Sequence, residues 1–147
     1  MSVFNNEQYI RQAVDSIINQ TFTNFEFLII DDASSDNMPK ILRDYNDPRI
    51  RIITNEENLG LTKSLNKGIA ASLGEYIARQ DADDVSLPKR LESQIAFLEN
   101  NPNVAADESS RPPLHVLAAS PQAGAMRRSK CEPIAKRPKT VPDFLET

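Results

Sequence analysis

Three carboxylates fall within four residues at Asp81-Ala82-Asp83-Asp84, directly after the apolar-bearing stretch 75–79 (EYIAR). Asp81 and Asp83 are two apart, so in a turn the pair can aim at one ion or at the hydroxyls of a ligand. A hard cation held there can bridge to the phosphates of a nucleotide. The bland alternative is an acidic start to the next helix, where Asp suits the helix dipole, and a lone D-x-D leaves that alternative ahead. A second acidic pair, Asp31-Asp32, follows residues 25–30 (FEFLII). One carboxylate there can accept hydrogen bonds from a base or ribose; the alternative is a turn closed by Asx-type bonds to nearby backbone N–H groups. Placed on one sheet edge, the two turns together make a carboxylate-lined cleft suited to a cation and a polar, phosphate-bearing ligand. Residues 58–67 (NLGLTKSLNK) bring Lys63 and Lys67 near a helix start, where they either approach phosphate charge or form the helix's solvated face.

The elements that must position these residues alternate in type. Ile10, Ala13, Val14, Ile17 and Ile18 form one apolar stripe, which predicts a helix over 7–20 with Asn5 or Asn6 as its cap. Residues 25–30 predict a buried strand. Pro39 opens a short helix through Ile41, Leu42 and Tyr45 that Asp47-Pro48 ends. Residues 49–54 (RIRIIT) predict a strand. Leu61, Leu65, Ile69 and Leu73 predict a helix stopped by Gly74. Residues 75–79 predict a third strand. Ser86 and Pro88 mark the start of a helix carrying Leu87, Leu91, Ile95 and Leu98, and residues 103–106 start one more strand. Alternating strands and helices imply right-handed crossovers and a mostly parallel sheet flanked by helices, an α/β Rossmann-like fold whose ligand edge holds both acidic turns.

Composition narrows the chemistry. The 147 residues hold one Cys, one His and no Trp, which excludes an internal disulfide and a Cys/His zinc site and disfavours His-based triads. Any catalytic metal must rest on carboxylates, which favours Mg²⁺ or Mn²⁺. The net charge of −4 is split: residues 1–110 carry 10 Lys+Arg against 18 Asp+Glu, whereas residues 111–147 carry 7 against 3 and six of the ten prolines. Residues 1–106 are therefore expected to form one domain and 107–147 a basic, Pro-rich, disordered tail. The tail cations lack interleaved aromatics, so no nucleic-acid partner is expected, and Cys131 has no identifiable role. No window approaches the ~18 apolar residues of a membrane span, and the N-terminus lacks the pattern of a secretory signal. The expected compartment is the cytoplasm, with docking at the inner membrane face compatible with the sequence.

The segments FNNEQYIRQAVDSIINQTFTNFEFLIIDDASSDN, ITNEENLGLTKSLNKGIA and GEYIARQDADDVSLPKRLESQ, in this order and spacing, cover most of residues 1 to about 103. This part resembles the N-terminal, nucleotide-sugar-binding half of family 2 glycosyltransferases of the GT-A fold. The resemblance implies inverting transfer of a sugar from a nucleoside-diphosphate sugar, foremost a UDP-sugar, to an acceptor hydroxyl on a glycan or lipid-linked substrate. It implies that Asp32 contacts the nucleotide base while Asp31 shapes that turn, and that Ser2 and Phe4 line the base pocket. It implies that Asp81, with Ala82, faces ribose or sugar and that Asp83 holds the Mg²⁺ or Mn²⁺ of the diphosphate, neutralising charge on the leaving group. The family pattern begins with a full strand ending near Phe4, here almost absent, and continues well past Asn103. The chain is thus expected to be a truncated or rearranged member whose general base belongs to the absent C-terminal half, binding nucleotide weakly and transferring sugar inefficiently. Two other readings compete: a non-catalytic binding remnant, and a phospho-receiver signalling domain, which lacks its strand-end Lys here.

Overall fold

The computed structural model describes residues 1–101 and 134–136. The elements run β1 (Ser2–Val3), α1 (Ile10–Ile18), β2 (Phe27–Asp31), α2 (Met38–Arg43), β3 (Ile50–Thr54), α3 (Leu61–Ala71), β4 (Tyr76–Ala78), α4 (Arg90–Asn100) and β5 (Ile134–Lys136). β1, β2 and β3 form a parallel sheet in that order, with Ser2 opposite Ile30 and Phe27 opposite Ile50. The alternation of strands and helices over residues 1–101 is as predicted. The strand expected at 103–106 lies outside the described residues.

β2 is buried along its whole length because helices cover both of its faces. Phe27 and Ile29 join Ile10, Val14 and Ile17 of α1 and Met38 and Leu42 of α2 in one buried cluster. On the opposite face α3 comes close enough at Gly68 that a Cβ there would stand 3.2 Å from the Ile30 side chain. Full burial of each such Ile, Leu or Met contributes about 1.5–3 kcal/mol. The two-residue β1 still pairs fully: the Met1 ammonium donates to the Leu28 carbonyl at 2.8 Å, and the Ile30 and Asp32 amides donate to Met1 and Val3 carbonyls.

Several local expectations are corrected. α1 begins at Ile10 without a side-chain cap; the Asn6 carbonyl accepts from the Tyr9 and Ile10 amides instead, and Asn5 serves another loop. α3 ends at Ala71 because Ser72 turns to extended backbone (ψ 146°), so Gly74 is not its stop and Leu73 is 76% exposed. Leu61 at its other end is 54% exposed, which leaves Leu65 and Ile69 to meet the sheet side. α4 begins at Arg90, after Pro88, with Lys89 rather than Ser86 at its cap. Of the 107–147 stretch expected to be a disordered tail, only 134–136 is described: β5 pairs antiparallel with β4, Ile77 opposite Ala135, and the rest lies outside the described residues. β4 and β5 form their own two-stranded sheet. An open cleft of about 710 Å³ separates β4 from β2, lined by Met1, Leu28, Ile30, Leu65, Ile77 and Leu91 among others.

Candidate functional site

At the end of β2 the two aspartates do different work. Asp31 accepts a hydrogen bond from the Ser34 amide at 3.0 Å and so closes its own turn. That turn passes through Ala33 at φ 61°, a left-handed conformation that a non-glycine residue adopts at a cost. Asp32 reaches across to the loop before α3. Its Oδ1 accepts from Asn55 Nδ2 at 2.7 Å and from the Leu59 amide at 2.9 Å, and its Oδ2 accepts from the Gly60 amide at 2.8 Å. Gly60 stands at φ 83°, a region in which glycine is at ease. Burial pushes the Asp32 carboxyl up, but the bonds from Asn55, Leu59, Ser64 and Gly60 outweigh it and hold the pKa below the usual carboxylate range. Lys67, one of the two lysines singled out above, donates to Asn55 Oδ1 at 2.7 Å, which ties α3 into the same network; Lys63 is exposed.

Sequence reasoning missed the lacing between the loops after β1 and β2. The Asn5 side chain accepts from the Ser35 amide at 2.8 Å, and Ser34 Oγ accepts from the Asn5 amide. Glu7 Oε2 accepts from the Asn37 amide and Asp36 Oδ2 from the Glu7 amide. Their only signal in sequence is a run of Asn, Ser, Asp and Glu at two loops that the parallel pairing of β1 and β2 makes neighbours. A shallow polar hollow of about 560 Å³ lies between them. Ser2 is half-buried in β1, and the Phe4 ring beyond it is 48% exposed at this edge.

The second acidic turn follows β4. Ala82 is buried in the same cluster as Val3 and Ile10, so its methyl anchors the turn and only its backbone can meet a ligand. Since Val3 pairs with Asp31, the two acidic turns share one end of the fold. Asp81 is ion-paired with Arg79, Nη2 to Oδ1 3.0 Å. Asp83 is exposed, and its carboxylate has no hydrogen-bond partner among the described residues. The same residues hold no group of three or more carboxylate, His or Cys side chains placed for a metal. A hard dication that draws most of its ligands from diphosphate and water, the usual mode for Mg²⁺, would need only a carboxylate such as Asp83 from this turn.

A parallel β1–β3 sheet flanked by helices, with one acidic turn beyond the carboxyl end of β2 and a second after the separately paired β4, has the general build of α/β domains that bind ligands at strand ends. The sequence model described as "Glycosyl transferase family 2" matches residues 1–118, and the chain belongs to that family. An uncharacterized glycosyltransferase of Haemophilus influenzae is 43% identical over 105 residues, covering 70% of this chain and 32% of the relative. The UDP-Glc:alpha-D-GlcNAc-diphosphoundecaprenol beta-1,3-glucosyltransferase WfgD of Escherichia coli is 35% identical over 101 residues, 69% of this chain and 40% of the relative. Among solved structures, residues 1–349 of Staphylococcus aureus TarS in complex with UDP-GlcNAc superpose with TM-score 0.66 at 27% identity, covering 72% of this chain and 31% of that one. The chain thus spans well under half the length of these relatives.

Proposed function

We propose that this chain is the nucleotide-sugar-binding part of a glycosyltransferase that transfers a sugar, with inversion, from a nucleoside-diphosphate sugar to an acceptor hydroxyl. The observation that carries the reading is the pair of acidic turns at one end of a family 2 fold, one fixed by Asp32 and the other presenting an Asp83 carboxylate that has no hydrogen-bond partner among the described residues. A relative named for a UDP-Glc donor and a structural neighbour holding UDP-GlcNAc support a UDP-sugar as the donor class. A glycan or lipid-linked acceptor, cytoplasmic location and association with a membrane face complete the proposal; among the described residues no helix is long and apolar enough to cross a membrane.

Ser2, Phe4, Asp31 and Asp32 would surround the base and ribose. Phe4 offers an exposed aromatic face and Asp31 the oxygen its turn leaves over, while Asp32, bonded by Asn55, Leu59, Ser64 and Gly60, sets a fixed negative charge beside them. Asp81 would exchange Arg79 for a ribose or sugar hydroxyl, with the Ala82 backbone alongside, and Asp83 would hold Mg²⁺ or Mn²⁺ against the diphosphate. When bound, that cation offsets the charge that builds on the diphosphate as the sugar's anomeric C–O bond breaks and the acceptor oxygen bonds to the anomeric carbon. The acceptor's proton needs a general base, which none of the described residues is assigned; with the binding half alone, transfer is expected to be inefficient.

Calorimetric titration of the 147-residue chain with UDP, with and without Mn²⁺, tests this. The expected result is binding that strengthens with the metal and loses that gain in Asp83→Ala. Metal-independent binding, or none, would leave a non-catalytic remnant as the reading, and robust sugar transfer by the chain alone would overturn the expectation of inefficiency.

A further inference from the structure

The 79–84 backbone is gripped by two buried side chains. Arg90, 8% exposed at the start of α4, donates from Nη2 to the Arg79 carbonyl at 2.6 Å, and from Nη1 to Gln80 Oε1 at 2.8 Å and Ser86 Oγ at 2.9 Å. Gln80, 4% exposed, accepts from Ser86 Oγ at 2.6 Å and donates from Nε2 to the carbonyls of Asp81 (3.0 Å) and Asp84 (2.8 Å). Three carbonyls of one acidic turn thus each receive a side-chain donor. A buried guanidinium is costly unless it is hydrogen-bonded, and these Nη bonds tie the Arg90 side chain to the turn. A further bond passes the grip on: the Ser86 amide donates to Ser16 Oγ of α1 at 3.0 Å.

We infer that Arg90 and Gln80 are positioning residues for the D-x-D turn: they fix its backbone so that Asp81 and Asp83 stand where a cation-bound diphosphate can use them. The inference rests on the proposed function and adds two residues to it that touch neither nucleotide nor metal. Without the grip, the 80–85 segment is a surface loop of the kind that is ordinarily mobile, and displacement of a binding group by an ångström is costly.

Two readouts on the full 147-residue chain decide it. In Arg90→Met, amide hydrogen exchange over residues 80–86 is expected to rise about tenfold while β2 amides stay protected, because donors to the turn are lost. The gain in UDP affinity conferred by Mn²⁺ is expected to fall about tenfold, with metal-free UDP affinity changed less than about twofold, since the loss is one of geometry. Gln80→Glu is the milder variant. It keeps the acceptor for Arg90 and Ser86 and removes only the two donations to the Asp81 and Asp84 carbonyls. It should show the same pattern despite bringing an extra negative charge toward the cation, and it stands in if Arg90→Met does not fold. Unchanged exchange at 80–86, or a loosened turn with the Mn²⁺ gain intact, overturns this inference alone. A wild-type chain with no Mn²⁺-dependent gain overturns the proposed function and this inference with it.

Discussion

Asp32 is a carboxylate whose ionised form is built into the structure, and this gives it a pH signature. Its pKa is lowered in the folded chain, so the stability it contributes is fully present above the unfolded value of about 3.9 and is lost as pH falls through the lower folded value. Asp47 adds in the same direction, since its bonds from the Arg49 side chain and amide bring it down to about 2. A thermal-melt series should therefore fall steeply below about pH 4. Asp32→Asn, measured near neutrality, should cost about 1.5–3 kcal/mol by losing charge-assisted bonds from Leu59 and Gly60, and should flatten that acid limb; an unchanged acid limb would contradict the assignment. Ala33 predicts the opposite sign. Its left-handed backbone costs about 1 kcal/mol that glycine would not incur, partly offset by the entropy glycine loses on folding. Ala33→Gly should thus raise Tm slightly, by up to about 1 kcal/mol in stability, and a lowered Tm would count against strain there. The placement of Asp31, Asp32, Asp81 and Asp83 at turns after two strands was legible as residue type and spacing. The use of Asp32 as anchor for the 55–60 loop was not, because its partners Leu59 and Gly60 contribute only backbone N–H groups, which carry no sequence signal.

At the scale of elements, α1 and α4 act as one support. Gln20, just past α1, donates from Nε2 to the Leu87 carbonyl at 2.7 Å and accepts from the Leu91 amide at 3.1 Å, while the Thr21 amide donates to the Pro88 carbonyl at 2.8 Å. The side chain of Gln20 thus satisfies one of the orphan donors at the start of α4, a helix that has no side-chain cap of its own. Gln20→Ala should leave those buried groups unpaired and lower stability by about 1–3 kcal/mol in urea unfolding; a change below about 0.5 kcal/mol, the range of ordinary surface substitutions, would mean that water replaces the amide at no cost. Periodicity recovered α1 and α2 well because their apolar residues meet a sheet face directly. It overran α3, where Leu61 and Leu73 share the helical spacing of Leu65 and Ile69 but lie beyond the reach of the sheet. It also placed the start of α4 too early, since Ser86 spends its hydroxyl on Gln80 rather than on a helix amide. β5 was invisible, for three residues are too few to show any period.

At the scale of the whole molecule, both acidic turns lie within the family 2 match over residues 1–118. What composition could not show is the unequal reach of the bonds that complete the two acidic turns. Those that fix Asp32 join positions 23 to 28 apart. Those that bring α4 and its preceding loop back onto α1, and so steady the turn of Asp81 and Asp83, join positions 67 to 71 apart. Closing about 70 residues rather than about 27 costs roughly 0.8 kcal/mol more in chain entropy. The consequence is a predicted order of assembly: the Asp32 turn, with β2 and the 55–60 loop, should form before α4 closes on α1 and brings in the turn of Asp81 and Asp83.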